Sequence, residues 1–235
     1  MVEIKGLEKF ASKDFPGYIS ATVFTGGCNF RCPYCHNADL VLHPEALDTF
    51  PHDVFLRFLE SRKGWLEAVC VSGGEPLLHS DIVLFFQLLK EKGLRTKLDT
   101  NGSFPQQLVS LLERDLLDFI AMDVKAPLDK YASATHSSVD TKKIELSIDI
   151  ILNSGLDYIF RTTVIPGQTT HSDLREICQM LQGARGYEVQ RFSPENSLDK
   201  SFRAIEPFSQ EEFQQYERIA QEYFPEPTGG KNHGT

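Results

Sequence analysis

The feature that most restricts the fold is an alternation repeated six times: a short run of strand formers, a loop, then a stretch with helical apolar spacing. Runs rich in β-branched and aromatic residues stand at 18–24, 66–72, 94–100, 117–125, 157–165 and 187–193. Amphipathic stretches follow at 52–62, 81–93, 105–114, 140–155, 172–183 and 208–223. Strict alternation of this kind predicts an α/β fold whose parallel strands are joined by right-handed helical crossovers. No G-x-G-x-x-G or P-loop pattern accompanies any unit, so the nucleotide folds built on them gain no support. Unusual residues instead recur directly after the strands, where a β/α barrel builds its site from loops at the carboxyl ends. An open doubly wound sheet also binds ligands at that end, but at one crevice rather than around six strands.

A chain of 235 residues suits one sizeable domain, expected over 1–224, with a disordered tail at 225–235. The net charge of −9 argues against binding to nucleic acid or to an anionic membrane surface. The N-terminus has no hydrophobic signal core, and the apolar run at 82–89 is too short to span a bilayer. Five cysteines, three of them clustered, do not make a disulfide framework; they fit a reducing cytoplasm and metal or redox chemistry.

The cluster reads CNFRCPYCHN, with Cys28, Cys32 and Cys35 at C-x3-C-x2-C spacing. One reading is a structural zinc site completed by His36, although adjacent residues rarely point at one ion. A second is a glutaredoxin-like dithiol, Cys32-Pro-Tyr-Cys35, which leaves Cys28 and the other strand-end motifs without a role. A third is a [4Fe–4S] cluster in which three thiolates hold three irons and the fourth iron is left for a ligand. Cys70, in an apolar strand, and Cys178, on a helix, read as core residues, and Trp65 as packing.

The spacing C-x3-C-x2-C, with aromatic Tyr34 just before the last cysteine, resembles the radical S-adenosylmethionine superfamily. Gly73-Gly74-Glu75-Pro76 at the end of the second strand resembles that superfamily's Gly-Gly-Glu-Pro motif. Within it the chain resembles the glycyl-radical enzyme activating enzymes: CHN after the third cysteine, DTNG at 99–102 and MDVK at 122–125 follow their pattern. The stretch at 6–37 is most similar to the activating proteins of anaerobic ribonucleoside-triphosphate reductase.

The resemblance implies a partial (β/α)6 barrel, open on one side, that reductively cleaves S-adenosylmethionine and places a glycyl radical on a partner enzyme. That partner would be anaerobic ribonucleoside-triphosphate reductase, pyruvate formate-lyase or another glycyl-radical enzyme; flavodoxin or ferredoxin would donate the electron. Cys28, Cys32 and Cys35 would hold the cluster. Cys35, His36, Asn101 and, beside the adenine, Tyr34 would also belong to the cofactor site. Gly73, Gly74 and Glu75 would receive the methionine ammonium, and Lys125 and Arg161 its carboxylate and the ribose. Asp99 and Asp123 would share a monovalent cation with Thr100 and the carbonyl of Ala121. A histidine usual near the end of the sixth strand is missing, leaving Gln190, Arg191 and Phe192 as candidate adenosine contacts. No side chain is required as a general base, because the cofactors carry the chemistry.

Overall fold

A computed structural model describes residues 2–225. The chain opens with a strand absent from the expectation, β1 (Ile4–Ala11), followed by β2 (Ser20–Thr25). The cysteine loop then leads to α1 (Ala38–Leu42) and α2 (His52–Ser61). Regular alternation follows: β3 (Ala68–Gly73), α3 (Ile82–Glu91), β4 (Arg95–Thr100), α4 (Pro105–Leu112) and β5 (Phe119–Asp123). After α5 (Tyr131–Thr135) and α6 (Thr141–Leu152) come β6 (Asp157–Val164), α7 (His171–Met180), β7 (Tyr187–Arg191) and α8 (Gln210–Tyr223). The tail expected to be disordered lies, from position 226 onward, outside the described residues.

The seven strands form one sheet in sequence order, parallel from β2 to β7, with β1 antiparallel to β2 at the edge. Among the described residues β1 and β7 do not pair, so the curled sheet stays open on that side, as the resemblance implies. β1 lacks an apolar run because it is an edge strand: Ile4 and Ala11 are buried, but the interior of IKGLEKFA is half-buried or exposed. Its lysines and two register irregularities are features that discourage further strand addition.

The central strands are buried on both faces, as parallel strands covered by crossover helices must be. Ala68, Val69, Cys70 and Val71 of β3 are wholly inaccessible. Outward-facing strand residues pack against helical stripes such as Ile82, Phe85, Phe86 and Leu89 of α3. Cys70 and Cys178 are buried, as expected of core residues. Trp65 is not: it is 75% exposed, on the turn before β3, where Trp65 N–H donates to the Arg62 carbonyl.

The inner face carries unusual polarity. Register pairs Cys70 with Lys97 and Asp123 with Arg161, which sets Lys97, Asp99, Asp123 and Arg161 on the same concave face. At the amino end of the strands, Phe15 from the β1–β2 connection packs on Phe119, and Asp14 accepts from Thr22 Oγ1. That plug shields the inner charges from below and leaves the carboxyl end as their access.

Candidate active site

The cysteine loop leaves β2 through Gly26 and Gly27, and the end of β3 is pressed against it. Gly74 N–H donates to the Thr25 carbonyl at 2.9 Å and Glu75 N–H to the Gly27 carbonyl at 2.8 Å. A Cβ on Gly73 would lie 2.4 Å from Thr25 backbone, and one on Gly74 only 1.9 Å from the Gly27 oxygen. Two glycines are therefore required for the backbones to meet. Asn37 Nδ2 completes the seam by donating to the Gly73 carbonyl at 2.7 Å.

Cys35 N–H donates to the Cys32 carbonyl at 3.0 Å, turning the loop back on itself. Cys32 is buried; Cys28 and Cys35 are half-buried. Phe30 N–H points at Cys28 Sγ at 3.4 Å, and Asn101 Nδ2 reaches the same sulfur at 3.7 Å. Burial pushes the Cys28 thiol up to about 12 and that of Cys32 to about 11, and raises Cys35 as well. Three desolvated thiols are poor exchange nucleophiles, since exchange needs an accessible thiolate, so the dithiol reading loses support. They become thiolates where a positive centre binds them. Among the described residues no three His, Cys, Asp or Glu side chains converge as ligands of a single metal ion. His36 is exposed, beside Glu195, so it does not complete a zinc site.

A second segment, absent from the sequence expectation, straps this loop. Leu198 N–H donates to the Cys35 carbonyl at 3.0 Å and Asp199 N–H to that of Pro33 at 2.8 Å.

Behind the loop stands a chain of charges. Arg161 Nε donates to Asp123 Oδ1 at 2.8 Å, and its NH1 lies 3.5 Å from Asp99 Oδ2. Lys125 Nζ donates to Asp123 Oδ2 at 2.9 Å and Lys97 Nζ to Asp99 Oδ1 at 2.6 Å. Burial alone would raise both carboxyls, but Arg161 with Lys97 holds Asp99, and Arg161 with Lys125 holds Asp123, below the ordinary carboxylate range. The positive charge between the two carboxylates is the Arg161 guanidinium. Lys97 was not anticipated, although its position two residues before Asp99 on a strand places both on one face.

Glu75 is fully buried with both oxygens engaged. Oε1 accepts from Leu77 N–H at 3.0 Å and Thr100 Oγ1 at 2.8 Å, and Oε2 from Asn101 N–H at 2.7 Å. The carboxyl thus staples the end of β3 to the end of β4, and burial raises it to about 7. Tyr34 is buried with the Lys125 ammonium 6.0 Å from its ring centre. Both line a narrow cleft of about 70 Å³ shared with Ser133, His136, Gln168 and Phe202. A larger groove of about 650 Å³ by β7 and α8 includes Arg191 and Phe192; neither cavity is lined by a cysteine, Gly73 or Gly74. Of the adenosine candidates, Arg191 is turned outward to the Phe208 carbonyl, Phe192 is buried against Phe202, and Gln190 is half-buried on β7.

The family model described as "Radical SAM superfamily" matches residues 22–181, the span from β2 to the end of α7. The chain belongs to the radical SAM superfamily. A Methanocaldococcus jannaschii protein, provisionally named a glycyl-radical enzyme activating enzyme, is 29% identical over 94% of this chain and 92% of its own. The pyruvate formate-lyase-activating enzyme of Streptococcus mutans is 30% identical over 79% of this chain and 75% of its own. In fold, the radical SAM chain resembles a TYW1 structure with a lysine–pyruvate adduct bound, at TM-score 0.65 and 15% identity, covering 91% of this chain and 77% of the other. This radical SAM protein is an enzyme of the glycyl-radical activating class, which works with a [4Fe–4S] cluster and S-adenosylmethionine. The donor set fits such a cluster: three thiols without a shared single-ion geometry, on one loop with N–H donors aimed at one sulfur.

Proposed function

We propose that the chain activates anaerobic ribonucleoside-triphosphate reductase by placing a radical on one of its glycines. The seating of Cys28, Cys32 and Cys35 on one loop at the open, carboxyl end of a partial barrel, beside Lys125 and Tyr34, carries the activase reading, and the likeness of residues 6–37 to the reductase-activating proteins selects the reductase. When bound, the cluster and S-adenosylmethionine supply the radical chemistry, reductive cleavage of the sulfonium and abstraction of a glycine α-hydrogen.

The chain's own residues bind, orient and exclude water. The three cysteines hold the cluster, and the Gly73–Gly74 seam fixes their loop. Lys125 offers its ammonium to the carboxylate of the methionine moiety, a charge-assisted bond. Asp123 and Arg161 hold Lys125 in place, with Asp99 and Lys97 behind them. Tyr34 walls the cleft, while His36 and Asn101 flank the loop on its outer and inner sides. The Gly74 carbonyl and the remaining lone pairs of the Gly73 carbonyl and Glu75 Oε2 receive the ammonium of the cofactor, whereas Glu75 Oε1 already accepts two donors. Three cations, Lys97, Lys125 and Arg161, already balance Asp99 and Asp123, so the proposal includes no monovalent cation. Flavodoxin or ferredoxin is the proposed electron donor and a reducing cytoplasm the proposed compartment; no described helix is long and apolar enough to cross a membrane.

A second reading, with pyruvate formate-lyase as partner, is favoured by the likeness to the Streptococcus mutans enzyme. Anaerobic incubation of the reconstituted chain with each candidate partner separates the two. A glycyl-radical signal in electron paramagnetic resonance should grow on the reductase and not on the lyase; the opposite result reverses the assignment, and no signal on either rejects both.

A further inference from the structure

Between the cysteine loop, which supplies Asn29, and the loop after β4, which supplies Asn101 and Ser103, three side chains form a closed ring of hydrogen bonds. Asn101 Nδ2 donates to Asn29 Oδ1 at 3.0 Å, Asn29 Nδ2 to Ser103 Oγ at 3.0 Å, and Ser103 Oγ to Asn101 Oδ1 at 2.5 Å. Every group donates once around the cycle. The orientation of the Asn101 amide is set independently, because Ser103 backbone N–H, which can only donate, points at Asn101 Oδ1 at 2.9 Å. The Asn101 NH2 must therefore face the cysteine loop, where it also reaches Cys28 Sγ at 3.7 Å. Asn101 and Ser103 are buried, at 6% and 8% exposure. The backbone beneath is held too: Asn101 N–H donates to Glu75, Gly102 N–H to Thr100 Oγ1, and Ser147 Oγ to the Gly102 carbonyl.

We propose that Asn101 is a positioning residue that, locked by Asn29 and Ser103, aims an N–H at Cys28 and raises the electron affinity of the iron held there. The proposal rests on the cluster assignment above. A donor at a thiolate sulfur withdraws negative charge, which favours the reduced, more negative state of the cluster. Among the described residues Cys28 Sγ otherwise receives only the Phe30 N–H, so the side-chain donor is a large share of its polar environment. The ring also explains why an amide rather than a carboxylate stands at position 101: a carboxylate has nothing to donate to Cys28 or Asn29.

The test is a redox titration of the reconstituted cluster without S-adenosylmethionine, followed by electron paramagnetic resonance, on the wild type, Asn101→Leu and Ser103→Ala. With iron content unchanged, Asn101→Leu should shift the potential downward, lowering the reduced-to-oxidised ratio at fixed potential at least threefold, about 28 mV at 59 mV per decade. Ser103→Ala, which unlocks the ring but keeps the amide, should move it the same way by less. Electron–nuclear double resonance should show one exchangeable proton coupling lost in Asn101→Leu while that of Phe30 N–H remains. An intact cluster with unchanged potential and proton couplings overturns the role. If Asn101→Leu holds no cluster, Ser103→Ala decides alone: a downward shift supports the role, an unchanged potential overturns it. If the wild type takes up no four-iron cluster, the failure is that of the cluster assignment itself.

Discussion

Arg161 on β6 holds Asp123 on β5 through an Nε–Oδ1 bond of 2.8 Å, and the same guanidinium lies 3.5 Å from Asp99 on β4. Three adjacent strands are thereby tied on the inner face of the sheet by one side chain. Asp123 in turn holds Lys125 at 2.9 Å, so the ammonium facing the cleft depends on a guanidinium from the neighbouring strand.

Arg161→Ala should be among the most damaging changes in the barrel. It leaves two buried carboxylates facing each other, and breaking a buried pair by removing one partner costs about 3–5 kcal/mol. Denaturant unfolding should show that loss, with Arg161→Lys intermediate because a single ammonium cannot span both acids.

Lys125→Ala tests the ligand side of the same network. Cofactor binding measured by calorimetry on the iron-loaded protein should weaken about tenfold or more, the loss of a charge-assisted bond, with iron content unchanged. Unchanged binding would remove Lys125 from the site.

Gly74→Ala should prevent the cysteine loop from closing, because its Cβ would fall 1.9 Å from the Gly27 oxygen, a backbone atom that cannot step aside. The expected outcome is lost iron uptake together with destabilisation of about 3 kcal/mol or more, in the range of overpacked or strained core sites. Iron titration after reconstitution reads the first and chemical unfolding the second.

Glu75 gives a pH dependence with a definite sign. Burial raises its pKa from 4.5 to about 7, so the folded state binds the proton more tightly than the unfolded chain. Its contribution to stability is full below about 4.5, falls as pH rises, and is exhausted above about 7. The stability difference between wild type and Glu75→Gln, measured from pH 4.5 to 8, should move against the wild type across that window by about 3 kcal/mol. A difference flat with pH would mean that the three donors around the carboxylate offset its burial completely.

The order and type of the six parallel strands and their crossover helices were legible in the sequence, because burial on both faces forces long apolar runs and amphipathic stripes. β1 was not, since an edge strand buries little and its residues read as a charged loop. Trp65 reads as a packing residue in the sequence, yet a turn at the barrel's rim leaves it in water.

At the candidate site, the cysteine spacing, Gly73-Gly74-Glu75, Asp99, Asp123 and Lys125 stood out in one dimension through their motif resemblance. Which of them touch was decided by the sheet. Register put Arg161 between two carboxylates, and the packing of loops beyond the strand ends engaged the oxygens of Glu75 with protein donors and brought Asn29, Asn101 and Ser103 into one ring across 74 positions of chain. Local sequence sets what a residue is able to bind, through its charge and donors. The pairing of strands distant in sequence sets what it does bind, because a bond of about 3 Å needs a placement that only long-range packing supplies.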